Sequence, residues 1–245
     1  MKIFMNRSLT IFPIIFIFAI SCLLNGCTIS QVKGSGNISS RQFNYTDFTK
    51  LRIGGGFQAN IVASDAYNIV LTADDNIFDY ILMEKSGDTL YIRLKSGSYT
   101  QIHQEATISM PHLVNLNLSG GSRVNVSGFS SSEDVFAAVI ANGSHLTGDL
   151  SANETIIELT DGSSIDLEGS VSSLKLISSD GSQANFDGLT VTKADFRIRD
   201  GGTAFINVTG SLNAHLSDGS RVVYSGSPVM GEIKLSGGST LVKKN

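Results

Sequence analysis

The chain has 245 residues, 41% of them hydrophobic, and a net charge of −4. That is enough apolar material for a sizeable core, while the acidic balance argues against a nucleic-acid partner, whose phosphates must be neutralised by Lys/Arg clusters. With 25 Gly, 3 Pro, no Trp and only 16% charged residues, and with β-branched residues throughout, the composition excludes a disordered tail and fits a turn-rich all-β protein.

Residues 1–26 have the pattern of an export signal. Lys2 and Arg7 precede the apolar run LTIFPIIFIFAISCLL, and LNGC follows at 24–27. Leu24, Gly26 and Cys27 match a bacterial lipobox, with Asn25 as a less usual second residue. Gly26 exposes the backbone to a peptidase, so cleavage is expected between Gly26 and Cys27, and the Cys27 thiol is the group acylated. The alternative is an uncleaved anchor, for which the run is short, since about 20 apolar residues are usual. Met5 is a second possible start, because MNRS keeps a basic n-region. Thr28 is not the Asp that retains lipoproteins at an inner membrane, which points to the outer membrane. Cys22 leaves with the signal and Cys27 carries lipid, so no thiol remains for a disulfide, a metal or a nucleophile. Loss of 1–26 leaves 16 basic against 22 acidic side chains, a net charge of −6. Residues 27–46 read as a linker after the lipidated cysteine.

Residues 47–245 read as one domain. Within 47–111, LRIGGGFQANI at 51–61 has the phase of a first repeat. YNIVLTA is a predicted strand. DDNIFDYI suits a short helix capped by Asp74 or Asp75. LMEKSGDTLYIRLKS suits a hairpin about Gly87-Asp88, and ATISMP a strand ended by Pro111. This block is expected to cap the open edge of the regular repeats.

From 112 to 245 the sequence repeats. Gly121, Gly143, Gly162, Gly181, Gly201, Gly219 and Gly238 recur at intervals of 18 to 22 residues. Each follows Gly, Asn or Asp and precedes Ser or Gly, as in the Asp-Gly-Ser of 161–163 and 180–182. Three residues earlier stand Leu118, Ile140, Leu159, Ser178, Ile198, Leu216 and Leu235. Three residues later stand Val124, Leu146, Ile165, Ala184, Ala204, Val222 and Leu241. Polar residues alternate with these, so both arms of each turn are half-buried strands. A second glycine (Gly128, Gly148, Gly169, Gly188, Gly210, Gly226) marks a second corner. Strands separated by corners every 20 residues or so make the rungs of a right-handed parallel β-helix, the hand following from the crossover rule. Seven rungs at about 4.8 Å make a rod roughly 30 Å long. Asn-Gly and Asp-Gly tolerate the positive φ of a sharp corner. The following Ser turns inward, where its hydroxyl needs a partner in the next rung or a turn carbonyl. A β-meander sandwich also spaces turns regularly, but does not require one residue type at one phase in seven units.

The lipobox, FTKLRIGGGFQANI, YNIVLTADDNIFDYI, GDTLYIRLK and the Gly-Ser rungs, in that order, resemble the bacterial family called putative auto-transporter adhesin, head GIN domain, over roughly residues 47–240. The resemblance implies a right-handed β-helix exported to the cell envelope, with an adhesin-like role and no catalytic residues.

The chemistry to weigh is sparse. Asp161, Asp180, Asp200 and Asp218 would stack in one column, and two charges at ~4.8 Å in water repel by about 0.9 kcal/mol. A Ca²⁺ could offset that, or the aspartates simply shape water-facing corners. A carbohydrate-active enzyme, a polysaccharide lyase or hydrolase, would need paired carboxylates or a metal with a basic group. FRIRDGG, with Arg197, Arg199 and Asp200, is the most suggestive stretch, although its arginines alternate with apolar residues like any solvated strand. His103, His112, His145 and His215 are scattered, and GGGF at 54–57 has no phosphate-loop lysine. The expectation is a non-catalytic, lipid-anchored envelope protein without cofactor. It is held to the membrane through Cys27 and binds a cell-surface glycan or an envelope protein through the rod surface. The enzyme is the alternative.

Overall fold

The computed structural model describes residues 31–244, and for 131–134 the backbone alone. Gly26, Cys27 and the whole signal segment lie outside the described residues. The regular part is a parallel β-helix. After β10 (Asn115–Leu118), each strand turns one corner and pairs with its successor one coil on: β11 (Arg123–Ile140), β12 (His145–Leu159), β13 (Ser164–Ser178), β14 (Gln183–Ile198) and β15 (Thr203–Leu216). The last coils are β16 (Arg221–Gly226), β17 (Val229–Leu235) and β18 (Thr240–Lys243). Every one of these pairings is parallel, which excludes the meander.

The inward columns run in register. Val124, Leu146, Ile165, Ala184, Ala204 and Val222 align across five interfaces. So do Ala138, Ile157, Leu176, Phe196 and Ala214 in the opposite arm. All are buried. Bulk in one arm is offset by small residues in the other: Phe196 shares its coil with Ala204, one level from Ala184. That keeps the interior close-packed.

Each corner is a tight turn with two consecutive left-handed residues, such as Asp161 (φ 56°) and Gly162 (φ 66°). Ser163 N donates to Thr160 O at 3.2 Å, closing a turn of type I′. The corners are also bonded to one another. Gly162 N donates to Asp180 O at 3.0 Å and Gly181 N to Asp200 O at 2.9 Å, a ladder along the rod. The repeated tripeptide therefore serves backbone geometry: Asp or Asn reaches the left-handed region with least strain and glycine follows it. The inward serines divide. Ser122 Oγ and Ser220 Oγ donate to the carbonyls of Ser119 and Ser217, at 2.9 and 2.6 Å. Ser144, Ser163 and Ser182 are buried with hydroxyls that meet no partner among the described residues.

The second glycine ends a strand only in β16, at Gly226. β11 to β15 run through it, and the bend is absorbed inside the strand, with register shifts near Gly128 and Gly169.

The N-terminal block differs most from expectation. Its elements are β1 (Gln31–Lys33), β2 (Ile38–Phe43), β3 (Lys50–Ile53), β4 (Gln58–Ala63), β5 (Asn68–Asp74), a 3₁₀ turn at Asp75–Tyr80, β6 (Ile81–Ser86), β7 (Thr89–Leu94), β8 (Ser98–Thr100) and β9 (Gln104–Met110). The hairpin β6–β7 turns at Gly87-Asp88, as its sequence indicates. The coil 50–63, however, is not the outermost. β7 and β9 stack on β3 and β4 in parallel and form a coil outside it. The chain passes over coil 50–63, builds the end of the rod, and returns to lay β10 on the far side of β3. Antiparallel β6 then covers β7, and β5 with β2 covers β9. In the outer coil the glycine corner is replaced by residues 95–103, which carry β8 and pair with β1.

Two expectations are thereby corrected. Much of the stretch 27–46 is not linker, since β1 and β2 belong to the cap. The 3₁₀ turn has Asp74 at its N-cap without a side-chain cap bond. The buried Asp74 carboxylate instead accepts N–H bonds from His103 and Gly36, both at 2.6 Å. The His103 N–H foremost, with that of Gly36, holds this carboxyl below its usual range against the opposing effect of burial. It ties the turn between β1 and β2, and the residue that precedes β9, to the end of β5. Among the described residues nothing covers the other end of the rod. There β17 and β18 have one partner each, Val229 and Leu235 are exposed, and Lys234 and Lys243 are charges of the kind that discourage edge pairing.

Candidate functional site

The four aspartates do form a column, but the carboxylates of Asp161, Asp180 and Asp200 turn back onto their own chain. Asp161 Oδ2 accepts from Thr160 Oγ1 at 3.0 Å, Asp180 Oδ2 from Ser179 Oγ at 2.5 Å, and Asp200 Oδ2 from Arg199 Nη1 at 2.7 Å. All four residues are exposed. Among the described residues no group of three or more His, Cys, Asp or Glu is placed to hold a metal. The triple variant Asp161→Asn, Asp180→Asn, Asp218→Asn should keep the corners, because Asn reaches the same conformation. It should melt at or slightly above the wild-type temperature. Calcium chloride should shift neither protein in differential scanning fluorimetry. A calcium-induced rise in the wild type that is lost in the variant would make the column a ligand set.

In FRIRDGG, Arg197 reaches Asp195 at 3.5 Å and Arg199 reaches Asp200 at 2.7 Å, all on the solvated surface. Exposed pairs of this kind contribute at most about 1 kcal/mol. The histidines do not converge. His145 Nδ1 lies 2.6 Å from Ser164 Oγ, His215 Nε2 lies 3.0 Å from Glu232, and His103 Nε2 lies 3.5 Å from Glu105. Gly54 to Gly56 form the corner between β3 and β4, where Gln104 Nε2 donates to Gly55 O at 2.6 Å.

Concavity lies elsewhere, where the regular coils meet the cap. A groove of about 750 Å³ crosses β7, β3, β10 and β11 on their outer face. One row along it is Tyr91, Arg52, Asn117 and Val139, paired in register from strand to strand. The row beside it is Arg93, Gly54, Ser119 and Ala141, one position beyond the last pairs, where Gly54 N, Ser119 N and Ala141 N continue the backbone ladder. The Arg52 guanidinium lies 5.7 Å from the Tyr91 ring centroid. A smaller groove of about 310 Å³ on another face is lined by polar residues including Asn60, Glu105, Arg123 and His145. Sequence reasoning missed Arg52 and Tyr91. Their shared phase was visible, since Leu51-Arg52-Ile53 and Leu90-Tyr91-Ile92 alternate alike, but nothing in the order of the chain brings them side by side.

The family model described as putative auto-transporter adhesin, head GIN domain, matches residues 47–228. No curated protein matches. Among solved structures, a putative adhesin from Bacteroides fragilis NCTC 9343 has a TM-score of 0.78 at 18% identity, covering 87% of this chain and 100% of its own. A putative adhesin from Parabacteroides merdae ATCC 43184 has a TM-score of 0.66 at 16% identity, covering 88% and 99%. A putative lipid binding protein from Parabacteroides distasonis ATCC 8503 has a TM-score of 0.65 at 18% identity, covering 88% and 100%. At these identities the likeness is one of fold.

Proposed function

The chain belongs to the putative auto-transporter adhesin, head GIN domain family, and from that membership we propose that it is a non-catalytic, lipid-anchored binding module of the bacterial cell envelope. The groove between cap and rod carries this reading. It is a concave surface of mixed polar and apolar character, built from side chains stacked across successive strands. The groups best suited to catalysis are paired on exposed strands instead. The ligand is a cell-surface glycan or an envelope protein.

LNGC supports anchoring through Cys27. β1 begins at Gln31, and four residues extend to no more than roughly 14 Å. A lipid on Cys27 would therefore hold the capped end near the bilayer, in an outer membrane by the residue after the cysteine, and direct the open end away.

Two measurements test the proposal. Wild-type protein should stay in the membrane fraction after a carbonate wash, and Cys27→Ser should be released or run unprocessed. Equal retention of both would remove the lipid. The purified domain on a glycan and envelope-protein array should bind saturably without turnover. Turnover would establish the carbohydrate-active enzyme instead.

A further inference from the structure

We propose that the groove over β7, β3, β10 and β11 is a binding site for saccharides that carry carboxylates, an inference that rests on the binding-module reading and adds the ligand class. Three observations carry it.

The first is charge. Arg52 makes no ion pair with a carboxylate among the described residues, and its guanidinium lies over the Tyr91 ring. Arg93 reaches the exposed Glu84 only at 3.8 Å. Arg52 thus stands without a carboxylate partner among the described residues, and Arg93 on the adjoining row is held only by a long, exposed pair, in a chain whose net charge is negative. The positive stretch is bounded: Glu84 pairs with Tyr91 on one side and Glu158 with Val139 on the other. A bounded cationic stretch suits a ligand segment that places one or two carboxylates within it. A guanidinium meets a carboxylate with two parallel hydrogen bonds.

The second is room. Gly54 occupies a row whose members in later coils are Thr160, Ser179, Arg199 and Ser217. Its backbone is not in the left-handed region, so no turn demands glycine there. A Cβ would stand 2.9 Å from Ser119 Oγ and begin to fill the trough. With Ser119 and Ala141 beside it, the floor is low where the arginines rise.

The third is the mixture of surfaces. The Tyr91 ring offers a flat apolar face with a polar tip, suited to the C–H face of a sugar. The Asn117 amide and the Ser119 hydroxyl can each donate to and accept from sugar hydroxyls. Four strands at about 4.8 Å span roughly 14 Å from first to last, so the trough takes an oligosaccharide laid along the rod axis.

The test is affinity electrophoresis of the folded domain through gels containing polygalacturonate, alginate or hyaluronan, with neutral dextran as control. Wild type should be retarded by at least one carboxylated polymer and not by dextran. Arg52→Ala should weaken that retardation about tenfold or more, as loss of a charged hydrogen-bonding pair does, with melting unchanged because Arg52 points outward. Arg52→Lys should recover part of it. Retardation by none of the three acidic polymers, equal retardation by dextran, or retardation untouched in Arg52→Ala would each overturn the inference. If the array still shows saturable binding, the binding module survives and only the groove's ligand class falls.

Discussion

Replacing Ile165 with aspartate should cost several kcal/mol and lower the urea midpoint sharply, whereas Ser164→Asp should leave the stability within about 1 kcal/mol of wild type. The two positions are adjacent and differ only in the face they present. Ile165 is 2% exposed and lies in register between Leu146 and Ala184. A carboxylate there would be surrounded by apolar side chains of three coils, with no cation among them. Ser164 faces outward against His145, and an aspartate there gains an imidazole neighbour and keeps its water. A typical domain has only about 5–15 kcal/mol to lose. Urea denaturation of both variants measures the difference. Equal midpoints would contradict the alternation on which the parallel coils depend.

The regular coils were legible because each repeats the same physical demand. An inward apolar column, a left-handed corner and an outward polar row recur at one phase, so one reading applies throughout. The cap was not legible in its order. Nothing local marks that Leu90-Tyr91-Ile92 lies outside Leu51-Arg52-Ile53, because the two are joined by antiparallel strands over a long separation. The glycine step that would flag the outer corner is replaced by residues 95–103. β1 and β2 were hidden for the same reason: their partners β8 and β5 lie far along the chain, and neither has a strong apolar alternation. Asp74 sits where a helix cap belongs, yet its carboxylate is spent on the N–H groups of His103 and Gly36. That use depends wholly on tertiary contacts.

The candidate site divides in the same way. The aspartate column was visible in sequence because it is periodic, and its periodicity is that of the corner geometry. The groove is aperiodic. Arg52, Tyr91, Asn117 and Val139 become neighbours only through the out-of-order stacking of β7, β3 and β10. A ligand surface at the junction of cap and rod is thus formed where the repeat fails. The rod itself presents outward rows in which like corners follow one another.

Gly148→Ala should be strongly destabilising, and more so than Gly162→Ala, although the repeat makes Gly162 look the less replaceable. Gly162 is the second residue of a tight corner with φ 66°, and a Cβ there would meet nothing within 4 Å. Alanine at that position pays only for the left-handed conformation, about 1–2 kcal/mol. Gly148 lies inside β12, where the strand bends against the coil before it, with φ 145°. A Cβ there would run into the carbonyl oxygen of Val126, a backbone atom of the neighbouring coil. Gly169 meets the Leu150 carbonyl and Gly226 the Val208 carbonyl in the same way. Those atoms belong to the bonded coils themselves, so relief requires the coils to part at the bend. The cost then combines backbone strain with loss of neighbouring ladder bonds, several kcal/mol in all. Urea midpoints for Gly148→Ala, Gly169→Ala and Gly162→Ala should rank the first two together and well below the third. If Gly162→Ala falls as low as either, the strain of the corner exceeds the contact at the bend, and the tight turns rather than the bends govern how closely the coils stack.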